Sequence, residues 1–83
     1  MPRTPVQQAI LVDLCVFGDD KAANIGQRTG YHRNSVSKHL GLLEREGDVR
    51  NKGGGVYSLT DSGREGAQPL IRAGEIPYGE DPD

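Results

Sequence analysis

Tryptophan is absent from the chain, cysteine and phenylalanine occur once each, and aromatic residues make up only 5% of it. A single cysteine, Cys15, excludes an internal disulfide and a Cys-x-x-Cys metal or redox pair, so the fold has to stand on packing alone. Long apolar runs are missing as well. Runs of four such as Ala9 to Val12 are the longest, and they fall far short of the roughly 20 residues that a membrane-spanning helix needs. The start, Met1-Pro2-Arg3-Thr4, carries one basic residue and no small-residue cleavage site behind an apolar stretch, so no secretory signal is expected and a cytoplasmic location fits. Catalytic furniture is lacking too: there is no nucleophile with a base, no phosphate loop and no carboxylate pair in apolar surroundings, so the chain is not expected to be an enzyme or to carry a cofactor. His32 and His39 stand seven residues apart without carboxylate or thiolate company, which argues against a metal site.

What is present is enough for one small soluble domain. The 83 residues are 34% hydrophobic and 27% charged, with a formal net charge of −2. That average hides a segregation of charge. Residues 21–52 hold seven basic side chains (Lys21, Arg28, Arg33, Lys38, Arg45, Arg50, Lys52) against three acidic ones, a balance of +4. Residues 53–83 hold two basic and six acidic side chains, a balance of −4, and residues 1–20 supply the remaining −2.

Pro5 suits the first turn of a helix capped by Thr4, and no breaker follows before Gly18. The first helix has a core stripe of Val6, Ile10, Leu14 and Phe17, yet Ala9, Leu11, Val12, Cys15 and Val16 make its other sides apolar too. A helix apolar all round is enclosed. The second face therefore needs cover from the C-terminal segment or from another subunit, and the latter makes Leu11, Val12, Cys15 and Val16 a candidate homodimer surface. Asp19 and Asp20 occupy N-cap positions for a short second helix from about Lys21 to Thr29, stopped by Gly30. A third helix starts at Arg33 or Asn34, carries Val36, Leu40 and Leu43 at helical spacing, and ends at Gly47. The runs Val49–Asn51 and Val56–Leu59, joined by Lys52-Gly53-Gly54-Gly55, read as a hairpin. Thr60-Asp61 can cap a fourth helix, expected to be short because Gly63 and Gly66 weaken it and Pro69 stops it. The acidic stretch 73–83 has little to bury and is expected to be a disordered tail behind a domain of residues 1–72.

A helix-turn-helix needs a small residue where its helices cross, a residue tolerant of left-handed backbone in the turn, and apolar residues that lock the second helix. Gly26, Gly30, Tyr31 and Val36 supply these. Residues 22–47, AANIGQRTGYHRNSVSKHLGLLEREG, resemble the helix-turn-helix of winged-helix transcriptional regulators of the MarR and ArsR kind. Asp48 to Glu65, DVRNKGGGVYSLTDSGRE, is similar to that group's strand, basic glycine-containing turn, strand and Leu-Thr-x-x-Gly-Arg segment, in order and spacing. The resemblance implies a mainly α fold with a small β-hairpin, a winged helix-turn-helix of three core helices plus wing. It also implies sequence-specific binding of double-stranded DNA as a regulator, and with no sensor motif in the chain the simplest mechanism is occupancy of an operator, as a repressor. Its third helix would enter the major groove, and its wing would touch the backbone or minor groove.

Carried onto this chain, the recognition residues are Arg33, Asn34, Ser35, Ser37 and Lys38. Arginine can fork to guanine, asparagine can pair with adenine, and serines can donate to phosphates. Arg28, Arg50 and Lys52 suit phosphate contact, Arg45 lies on the outward side of the third helix that could enter a major groove, and His32 in the turn is expected to hydrogen-bond or face DNA. Tyr31 and Tyr57 read as core residues, and Cys15 as packing. It resembles part of the cysteine motif of metal-sensing ArsR proteins but lacks the second cysteine and falls in a different helix. Two features depart from the group. Gly41 stands mid-helix, next to an outward-tilting Leu42, and Gly66 and Pro69 interrupt the place of the long C-terminal dimerisation helices of MarR proteins. The competing reading is a winged helix used as a protein-protein interaction module in a transcription, replication or viral assembly, with Gly41 and Leu42 in the contact.

Overall fold

In a computed structural model, residues 3–74 are described, and the first of them set up the helix that everything else packs against. Thr4 caps α1 (Pro5–Phe17) in a reciprocal box. Its hydroxyl accepts from the Gln7 amide, and the Gln7 side chain accepts from the Thr4 amide, both at 3.2 Å. Gly18 ends the helix with a φ of 90° and donates its N–H to the Leu14 carbonyl at 2.9 Å. Six consecutive residues, Ala9 to Leu14, are buried, because α1 is packed by α2 (Ala22–Thr29), α3 (Arg33–Arg45) and α4 (Asp61–Ala73) on different sides. The second apolar face is thus covered within the chain. Leu11 and Val12, expected on a homodimer surface, are fully buried, and Cys15 is half-buried, which leaves Val16 as the one clearly exposed member of that set. Phe17, expected in the core stripe, is 59% exposed. It belongs to the last turn before Gly18, and its ring lies under the Arg28 guanidinium at 4.8 Å instead of in the core.

Asp19-Asp20 does not simply cap α2. Asp20 and Lys21 form a two-residue strand, β1 (Asp20–Lys21), and Lys21 takes the N-cap position with no side-chain cap bond. β1 pairs antiparallel with β3 (Val56–Leu59), Asp20 opposite Tyr57 and Lys21 opposite Val56, and β2 (Val49–Gly53) pairs with the other edge of β3. The sheet order is β1-β3-β2. Lys52 and Gly53 belong to β2 rather than to the turn, which shrinks to Gly54-Gly55, both with positive φ (64° and 80°) as a two-residue hairpin turn requires. An irregularity of register between Asn51 and Gly53 is tied off by the Asn51 side chain, which accepts from the Gly53 amide at 2.8 Å.

The fourth helix is longer than expected. α4 starts at the Thr60 cap, whose hydroxyl accepts from Gly63, and runs through Pro69 to the left-handed Gly74. Proline removes one helical hydrogen bond. Here packing compensates, since Ala67 is fully buried and Leu70 packs against the core while Pro69 itself faces out. The expected domain boundary at residues 72/73 falls inside the last turn of this helix, and residues 75–83 of the acidic tail lie outside the described residues.

The result is a mainly helical domain with a small three-stranded antiparallel sheet. Its core gathers Ile10, Leu11, Val12 and Leu14 with Ile25, Val36, Leu40, Leu43, Val49 and Ala67. Two buried carboxylates interrupt it, each paired. Asp48 is gripped by the Arg3 guanidinium through two 3.0 Å bonds and by Ser62 at 3.0 Å, and this contact raises the Arg3 pKa. Asp13 is held by Arg28 at 2.8 Å. Among the described residues, no buried side-chain polar atom lacks a partner, and no helix is long and apolar enough to cross a membrane.

Candidate nucleic-acid interface

Helices α2 and α3 meet at a three-residue turn, Gly30 to His32. Gly30 adopts the left-handed conformation (φ 87°) and returns its N–H to the Gly26 carbonyl at 2.9 Å. Gly26 lets the helices close up: a methyl group there would lie 2.7 Å from the Tyr31 carbonyl oxygen and 3.4 Å from Arg33 Cα. Ile25 and Val36 lock the pair from the core side. His32 caps α3, its Nδ1 accepting from the Asn34 amide at 3.0 Å while its ring stays exposed. His39 is engaged elsewhere, its Nδ1 lying 3.2 Å from the Gln7 side-chain amide. Partial burial lowers the His39 pKa, and neighbouring Lys38 adds to the shift. Among the described residues, no cluster of histidine, cysteine or carboxylate groups could hold a metal ion.

With Val36, Leu40 and Leu43 buried, the opposite side of α3 presents Asn34, Ser37, Lys38, Gly41 and Arg45, all exposed. Ser35, expected with them, is half-buried, because its position on the helix turns it toward the edge of the core stripe. Leu42 is half-buried too, so little of it is available to a partner. The first two turns of α3 face the hairpin across a groove of about 430 Å³ lined by Lys21, Ala22, Ala23, Arg33, Asn34, Ser37, Gly55 and Tyr57. Three expected recognition residues thus come together beside the hairpin tip. A second concavity of about 470 Å³ runs along the turn, between Ala23, Gly26 and Gln27 on one side and Tyr31, His32 and Arg33 on the other, so Arg33 borders both. Lys21 was not among the expected site residues. Only its pairing with β3, invisible in a two-residue strand, brings it to the groove.

The basic residues divide by what holds them. Arg28 is spent inside the molecule. It bonds Asp13 through both Nε and Nη2, reaches Asp20 at 2.9 Å, and lies over Phe17. The Asp13 bond above all drives its pKa further up, and the Asn24, Lys21 and Arg28 bonds to Asp20 hold that carboxyl down at about 2. A cation this engaged suits α1–β1–α2 cohesion better than the phosphate contact expected of it. Lys52 pairs with Asp19 at 2.8 Å, both largely solvent-exposed, a weak surface bridge. Arg33, Lys38, Arg45 and Arg50 are exposed and make no ion pair among the described residues. No protein-family model, curated protein or solved structure matches the chain.

Proposed function

We propose that the chain is a winged helix-turn-helix domain that binds double-stranded DNA in a sequence-specific way, as a cytoplasmic transcriptional regulator acting by occupancy of its operator and without catalysis. In this reading α2, the turn and α3 are the helix-turn-helix, and the β2–β3 hairpin is the wing. The observation that carries it is the exposed stripe Asn34, Ser37, Lys38 and Arg45 on α3, whose cations are uncommitted and which stands beside a hairpin bearing Arg50 and Lys52. An α-helix with its side chains is roughly 10–12 Å across, which matches a major groove about 12 Å wide. Short polar groups on the leading face would meet base edges, and long cations at the margins would meet phosphates.

The test is binding of random and genomic duplex fragments by the purified chain, followed by fluorescence anisotropy across a salt series. With about five phosphates contacted, log affinity falls against log salt with a slope near −4.5. The double change Arg33→Ala with Lys38→Ala should reduce that slope by roughly 2 if both side chains touch phosphates. No duplex binding at low salt would sink the reading and send the search to a protein partner of α3.

A further inference from the structure

Of the four glycines inside the described helices, three separate clearly by what their missing side chain serves. At Gly26 and Gly63 a methyl group would press on the backbone carbonyl of Tyr31 or of Asp48, so both are demanded by packing inside the chain. Gly41 is different. Its backbone is not among those with positive φ, and a methyl group built on it meets nothing within 4 Å. Among the described residues nothing uses the space, while α3 is weakened, since glycine is the poorest helix former after proline. At 3.6 residues per turn, Gly41 falls within about 60° of Asn34, Lys38 and Arg45 around the helix, on the side away from Val36, Leu40 and Leu43.

We propose that Gly41 is a specificity-determining position, the point where α3 seats against the floor of the DNA groove. This rests on the DNA-binding reading and deepens it. Asn34, expected to pair with adenine, is short, as is Ser37 beside it, and such polar atoms reach base edges only if the helix axis lies deep. A side chain at 41, one turn beyond Ser37, would act as a spacer and lift them away. Arg33, Lys38 and Arg45 are long and flexible, and reach phosphates from either depth. Filling position 41 therefore removes sequence preference and spares the salt-dependent attraction to any duplex.

The experiment compares the wild-type chain with Gly41→Ala and Gly41→Gln. The probes are a duplex that the wild type enriches from a random-sequence pool and a scrambled duplex of equal length and composition. Binding is read by anisotropy at fixed salt, with thermal melts alongside. The Tm of Gly41→Ala should rise by roughly 4 °C, because the helix gains and nothing is crowded. Affinity for the scrambled duplex should stay within about twofold, while preference for the enriched duplex falls about tenfold in Gly41→Gln and less in Gly41→Ala. Preference equal to wild type, parallel loss on both duplexes, or a lower Tm in Gly41→Ala each overturns the role of Gly41. Wild-type binding that enriches no sequence overturns it too, while leaving non-specific DNA binding in place. Wild type that binds no duplex at low salt removes the DNA reading itself.

Discussion

Arg28 stood in the basic segment with nothing to distinguish it from its neighbours, yet its partner Asp13 is fully buried. A buried carboxylate that loses its guanidinium keeps its desolvation cost without the compensating attraction. Arg28→Ala should therefore destabilise the chain by about 3 kcal/mol in urea titration, whereas exposed Arg50→Ala should stay within roughly 0.5 kcal/mol. Glycines carry comparable weight where backbones touch. Gly63→Ala and Gly26→Ala should each cost about 2 kcal/mol, because the carbonyls they would strike are fixed by the Thr60–Asp48 bond in one case and by the tight turn in the other. His39 supplies a pH signature. Its folded pKa lies below 6.5, so in acid the unfolded chain takes up a proton that the folded chain resists, and stability present above about pH 6.5 is lost as pH falls through that range. Chemical denaturation at pH 7.5 and 5.5 should show this decline, and His39→Asn should flatten it.

Among the elements, the helices were legible from local signals. Thr4, Pro5 and Gly18 bound α1, Gly30 closes α2, and Gly47, with a φ of 84°, follows the end of α3, each because capping is decided within a turn of the residue concerned. Two discrepancies, the strand before α2 and the length of α4, came from packing at a distance. β1 consists of two residues that are strand only because β3 lies beside them, and α4 passes Pro69 because Ala67 and Leu70 hold it to the core on either side. The proline is tolerated rather than required. Pro69→Ala restores a backbone donor on an exposed face and should raise stability by about 1–3 kcal/mol, read as a higher urea midpoint with an unchanged slope.

For the molecule as a whole, the segregation of charge seen along the chain becomes a division of labour in space. Of the seven basic residues between 21 and 52, Arg28 turns inward, Lys52 is engaged by Asp19, and Lys21, Arg33, Lys38, Arg45 and Arg50 remain exposed. Asp19 places a negative charge beside the proposed wing. Asp19→Asn should free Lys52 and raise duplex affinity about threefold at low ionic strength, with the gain vanishing as salt screens it. An unchanged affinity in anisotropy would show that Lys52 takes no part.

The sequence by itself determined the helical elements, the hairpin, the Gly26–Gly30 turn and the polar outer face of α3, because caps, turns and periodicity are written within a few residues of one another. Only the tertiary structure decided which cations are available, which face of α1 is enclosed, and what borders the groove. Those depend on contacts such as Arg28 with Asp13, Arg3 with Asp48 and Lys21 with Val56, where partners 15 to 45 residues apart are brought together by the packing of the whole core.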